Sequence, residues 1–96
     1  MKKTLYTQQY AILLALLREA RASVGLTQSE VAKLLRMSQS DVSKCELGQR
    51  RLDVIELKLW VEILGGSLAE FLADFESRLP PNVLSIPRKV GAPRQR

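Results

Sequence analysis

The stretch TQSEVAKLLRMSQSDVSKCEL, Thr27 to Leu47, decides how this chain folds. It opens on Thr27-Gln28-Ser29-Glu30, a capping-box pattern in which a hydroxyl and a carboxylate three residues later satisfy the amides that a helix start leaves without partners. Val31, Leu34 and Leu35 then recur at helical spacing as an inward face, and Ala32 is small enough to let a second helix approach closely. Ser38-Gln39-Ser40-Asp41 repeats the pattern with the shorter aspartate, Val42 and Cys45 form the next inward face, and Gly48 follows as a left-handed cap. Between the helix ending at Leu35 and the one beginning at Gln39 lie Arg36, Met37 and Ser38, a link short enough to set two helices steeply across each other. Residues 27–47 therefore read as a helix-turn-helix.

The same signals extend outward. Upstream, from about Thr4 to Ser23, the apolar positions Tyr6, Tyr10, Leu13, Leu17, Ala20 and then Val24 trace one stripe of a long first helix, closed by Gly25. Downstream, Asp53-Val54-Ile55-Glu56 opens a fourth helix that ends at Gly65-Gly66. Ser67-Leu68-Ala69-Glu70 opens a fifth that stops before Pro80-Pro81. Four box patterns in succession, an apolar period of three to four and no period-two alternation predict an all-α, five-helix domain with an extended first helix. Ninety-six residues with 46% hydrophobic content suffice for one core and leave no room for a second domain. The domain is placed at residues 1–79. Residues 80–96, with Pro87, Gly91 and Pro93 among basic side chains, are read as a basic C-terminal tail that is disordered before it meets a partner.

Charge is unevenly spread. Residues 1–51 carry nine Lys/Arg against four Asp/Glu, residues 52–79 two against six, and residues 80–96 add Arg88, Lys89, Arg94 and Arg96. One face should therefore attract a polyanion. The single cysteine, Cys45, rules out an intrachain disulfide and a cysteine-based zinc cluster, and the chain has no histidine. The common nucleophile and base arrangements cannot be assembled, so no catalysis, cofactor or metal is expected. The apolar run Ala11 to Leu17 after Lys2-Lys3 faintly resembles a secretory signal, but Arg18, Glu19 and Arg21 occupy the cleavage region. The run also falls short of the ~20 residues that span a bilayer. A cytoplasmic protein without a membrane segment is expected.

The outward side of the third helix presents Gln39, Ser40, Ser43 and Lys44, groups that can read base edges by donating and accepting hydrogen bonds. A helical hairpin of this kind also serves protein contacts. The polar face beside the basic Arg50-Arg51 loop favours DNA.

The order Arg21, Gly25-Leu26-Thr27-Gln28, Val31-Ala32, Ser38-Gln39, Val42-Ser43, Glu46, Gly48 and Leu64-Gly65 resembles the Xre/Cro-type, lambda-repressor-like helix-turn-helix family from Arg18 to about Leu72. The resemblance implies a five-helix domain that binds double-stranded operator DNA as a dimer, with the third helix in the major groove. It implies that Gln28 opens the second helix and contacts a phosphate, and that Gln39 is the first base reader. Ser40, Ser43 and Lys44 would be further readers, and Gln49, Arg50 and Arg51 would be backbone contacts. It also implies a partly buried ion pair between Arg21 and Glu46. Two residues depart from the family. Arg36 stands where glycine is usual, so the turn is strained or the arginine reaches a phosphate, and Cys45 replaces a larger core residue and is read as a small hydrophobe without chemistry.

Ile12 and Leu16 lie off the main stripe of the first helix, and Ile55, Leu59 and Ile63 off that of the fourth. Either the N-terminal extension covers the fourth helix within one subunit or these surfaces meet across a two-fold axis, and a homodimer is preferred. Phe71, Leu72 and Phe75 are assigned to the core, with an interface role as the alternative. The function expected is a sequence-specific transcriptional regulator acting as a dimeric repressor. Two alternatives stand beside it: an antitoxin that binds DNA and also neutralises a toxin protein, and a protein-interaction module that does not touch DNA.

Overall fold

The computed structural model describes residues 5–80, with side chains from residue 7 onward. Five helices follow in order, α1 (Leu5–Ser23), α2 (Gln28–Leu35), α3 (Gln39–Glu46), α4 (Val54–Ile63) and α5 (Leu68–Arg78). The expected tail lies, from residue 81 on, outside the described residues. Among the described residues no helix is long and apolar enough to cross a membrane.

Each of the last four helices starts on an oxygen-bearing N-cap. Thr27, Ser38, Asp53 and Ser67 accept from the amides of Glu30, Asp41, Glu56 and Glu70 at 2.8–3.1 Å. Only two of the four expected boxes close in both directions: Glu30 and Glu56 accept in return from the amides of Thr27 and Asp53. Asp41 is one methylene shorter, and the Glu70 carboxylate does not fold back onto its cap. Each such cap stabilises its helix by about 1 kcal/mol. The end of α3 shows why glycine stands at position 48. Its φ is +82°, and a Cβ there would meet Leu14 Cδ1 at 3.2 Å, so a side chain is disfavoured by both conformation and space.

Trp60, Leu17, Val31, Val42 and Cys45 are fully buried, and Leu16, Ala32, Leu57, Val61, Leu64 and Phe71 complete the core. Burying one such aliphatic or aromatic side chain contributes about 1.5–3 kcal/mol. α2 packs on α3 and α4, while α1 lies against α3 on one side and α5 on the other. This double contact corrects the narrow stripe expected for α1, because Leu14 and Leu16 are buried alongside Leu17. Leu34 and Val24 depart in the opposite direction, at 55% and 49% exposed. Val31, Ala32 and Leu35 already fill the inward face of α2, leaving Leu34 at its rim, and Val24 lies past the last residue of α1. Ile63 packs on the core, whereas Ile55 and Leu59 remain exposed on α4. Phe71 is buried and Leu72 and Phe75 pack against it, in keeping with a core assignment.

Candidate nucleic-acid interface

α3 has two unlike sides. Val42, Cys45 and Glu46 are sealed inside, while Gln39, Ser40 and Lys44 are exposed and Ser43 is half-buried at the edge between them. The exposed set covers the first turn and the outer flank. A helix start favours an anion, and at this one the Asp41 amide is already taken by Ser38 Oγ at 3.0 Å.

Glu46 anchors the helix from beneath. Its carboxylate, 1% exposed, accepts from Arg21 Nε at 2.7 Å and Arg21 Nη2 at 3.0 Å, a two-pronged ion pair joining α1 to α3. Arg21 Nη1 also donates to Leu26 O at 2.9 Å, and Arg18 Nη1 donates to the Glu46 carbonyl at 2.7 Å. The hydrogen bond to Glu46 is the first cause holding the Arg21 guanidinium above its ordinary pKa, and the opposite charge adds to it against the opposing effect of burial.

From Glu46 a relay runs to the surface. Gln28 Nε2 donates to Glu46 Oε1 at 2.9 Å, and Gln39 Nε2 donates to Gln28 Oε1 at 3.1 Å. The direction of this relay follows from charge alone. An ionised carboxylate only accepts, so Gln28 must turn its amine inward and its carbonyl outward, and Gln39 must then donate. Gln39 keeps one N–H and its carbonyl oxygen free at the surface. One donor and one acceptor side by side match the N6 and N7 edge of adenine.

At the far end of α3 the chain folds back, with the amides of Gln49 and Arg50 donating to Lys44 O at 2.8 and 3.2 Å. This brings Lys44, Gln49, Arg50 and Arg51 to one end of the helix. Arg50 is largely an internal brace: Nη1 donates to Cys45 Sγ at 3.1 Å and Nη2 to Glu56 Oε2 at 2.9 Å. Its pKa is raised by the Cys45 bond first and the Glu56 bond second. Arg51 is exposed, its guanidinium carbon 4.7 Å from the centre of the Tyr10 ring. Tyr10 Oη in turn accepts from the amide of Leu52 at 3.2 Å, so α1 supports this loop directly. Arg36 sits apart, at the turn between α2 and α3, exposed and left-handed at φ 60°, ψ 44°. Such a conformation costs a side-chain-bearing residue roughly 1–2 kcal/mol, so the turn is strained.

Three contributors escaped the sequence reading. Tyr10, Arg18 and Glu56 hold the site from 42, 28 and 6 residues away from their partners, and no local pattern joins them. Gln28, expected from the resemblance to contact a phosphate, has both of its amide atoms engaged inside the protein.

Two short, packed helices joined by a three-residue turn, with a polar outer face braced from below by an ion pair, define a helix-turn-helix DNA-binding domain. The helix-turn-helix family matches residues 17–71, and the chain belongs to the Xre family of helix-turn-helix transcription regulators. It is similar to an Xre-family-like protein from Pseudomonas syringae pv. tomato, with 41% identity, 78% of this chain and 92% of that one covered, and a TM-score of 0.73. It is also similar to two structures of the clp gene regulator ClgR from Corynebacterium glutamicum. These have 29% and 30% identity, cover 75% and 74% of this chain and 92% and 76% of theirs, and both have a TM-score of 0.66. No curated protein matches the chain significantly.

Proposed function

We propose that this regulator is a cytoplasmic homodimeric repressor that reads a short operator with α3. Gln39, Ser40, Ser43 and Lys44 contact base edges, Gln39 favouring adenine and Lys44 guanine. The amides at the start of α2 beside Gln28, together with Arg36, Gln49, Arg50 and Arg51, hold phosphates and set affinity without carrying sequence information. The observation that carries the reading is the relay from Glu46 through Gln28 to Gln39, which presents an oriented amide on an otherwise open helix face. The exposed Val54, Ile55 and Leu59 on α4 support pairing of two copies. Two recognition helices about 34 Å apart would then meet successive major grooves.

The test is a fluorescence-anisotropy titration of operator DNA selected from a random pool, repeated across salt concentrations. With about three cationic contacts per subunit, the dimer neutralises ~6 phosphates and log affinity should fall against log salt with a slope near −5. A flat response, or selection that yields no enriched sequence, refutes the reading.

A further inference from the structure

A groove separates α1 from α5. It comprises two adjoining hollows of about 340 and about 220 Å³ that share Ala20, Ser23, Phe71 and Asp74. Leu16, Ala20 and Phe71 give it an apolar floor, and Glu19, Glu70 and Asp74 an acidic rim. Arg78, bonded to Glu19 at 2.8 Å and 3.5 Å from Asp74, is the one cation lining it among the described residues, and it leaves the rim net negative. Glu70 has no side-chain partner among the described residues and lies at the end of the groove away from Arg78.

We infer that this groove is the docking site of the chain's own C-terminal segment, Val83 to Lys89, with Val83, Leu84 and Ile86 on the apolar floor and Arg88-Lys89 against the acidic rim. Three observations select this occupant. The described chain leaves α5 at Leu79-Pro80, immediately after Arg78, where the groove begins. The segment that follows carries apolar residues first and cations second, the order in which floor and free carboxylate occur as the groove runs back toward the start of α5. The reach also fits: α5 is about 16 Å long, and seven extended residues span ~23 Å. Docking there brings two positive charges to a rim whose three carboxylates are offset by one guanidinium. It places the segment on α1 and α5, so this inference does not rest on which bases α3 reads.

The experiment is ¹⁵N relaxation and chemical-shift mapping on the full chain. Backbone order parameters of Val83–Lys89 above about 0.6 are expected in the native chain, the range of restrained backbone. In the Arg88→Glu, Lys89→Glu double variant they should fall below about 0.6, with amide shifts moving at Ala20, Phe71 and Asp74. Adding Glu70→Lys to that variant should restore part of the order. Low order parameters in the native chain overturn the proposal, as do groove amides that ignore the tail substitutions. Shifts that change on tenfold dilution also overturn it, because they place a second copy in the groove instead of the chain's own segment.

Discussion

Glu46 and Lys44 stand two positions apart on α3, yet they belong to different parts of the molecule. Glu46 points inward and its carboxylate receives three hydrogen bonds from two side chains, while the Lys44 side chain is exposed and its ammonium has no hydrogen bond or ion pair among the described residues. Both are charged. What separates them is solvent, because a charge taken out of water must be surrounded by donors, whereas one left in water remains available to a ligand. The inner face of α3 fixes where the helix lies, and the outer face is left for recognition.

This contrast can be broken by experiment. Glu46→Ala leaves Arg21 and Gln28 without their acceptor, and loss of one partner of a buried pair costs about 3–5 kcal/mol. The lower end is expected, since Arg21 keeps 19% of its surface in water. For a domain of this size the melting temperature should drop by roughly 10 °C or more. An unchanged melting curve would remove the ion pair from the architecture. Glu46→Gln sharpens the point, because a neutral amide can donate as well as accept. Gln28 is then free to flip, and base preference at the position read by Gln39 should relax while the domain stays folded.

Lys44→Ala should do the reverse. Its melting temperature should match that of the native chain, while discrimination at one base pair weakens by about 1–3 kcal/mol, measured as the ratio of cognate to single-mismatch affinity. A large stability loss, or uniform weakening on all sequences, would move Lys44 out of the reading face. The smallest effect is expected at the turn. Arg36→Gly relieves a left-handed side-chain-bearing residue and should raise stability by about 1 kcal/mol in a denaturant titration. The same variant should lower the salt slope by about 0.9 per subunit if Arg36 holds a phosphate.

Much of this was legible from residue order. The four N-caps mark four helix starts because a cap is a local event, settled by a hydroxyl or carboxylate and the amide three residues on. Val42 and Cys45 read correctly as buried because helical spacing alone ties them to one side. Leu34 and Leu16 did not follow. Whether a residue at the edge of a stripe is covered depends on which helix lies over it, and α5 packs on α1 beside Leu16 while Leu34 stays 55% exposed. Arg50 was expected to be a DNA-backbone contact in a loop. Its engagement with Cys45 and Glu56 arises only when α3 and α4 are brought together.

Residue order by itself determined the five helices, the short turn at Arg36 to Ser38 and the polar face that begins at Gln39, because each depends on groups a few positions apart. The tertiary structure alone decided that Gln39 is oriented by Gln28 and Glu46, that Tyr10 supports Leu52 and Arg51, and that α1 and α5 leave an acidic groove between them. These depend on contacts between segments up to 42 residues apart, and such contacts are set by the packing of whole helices around Trp60.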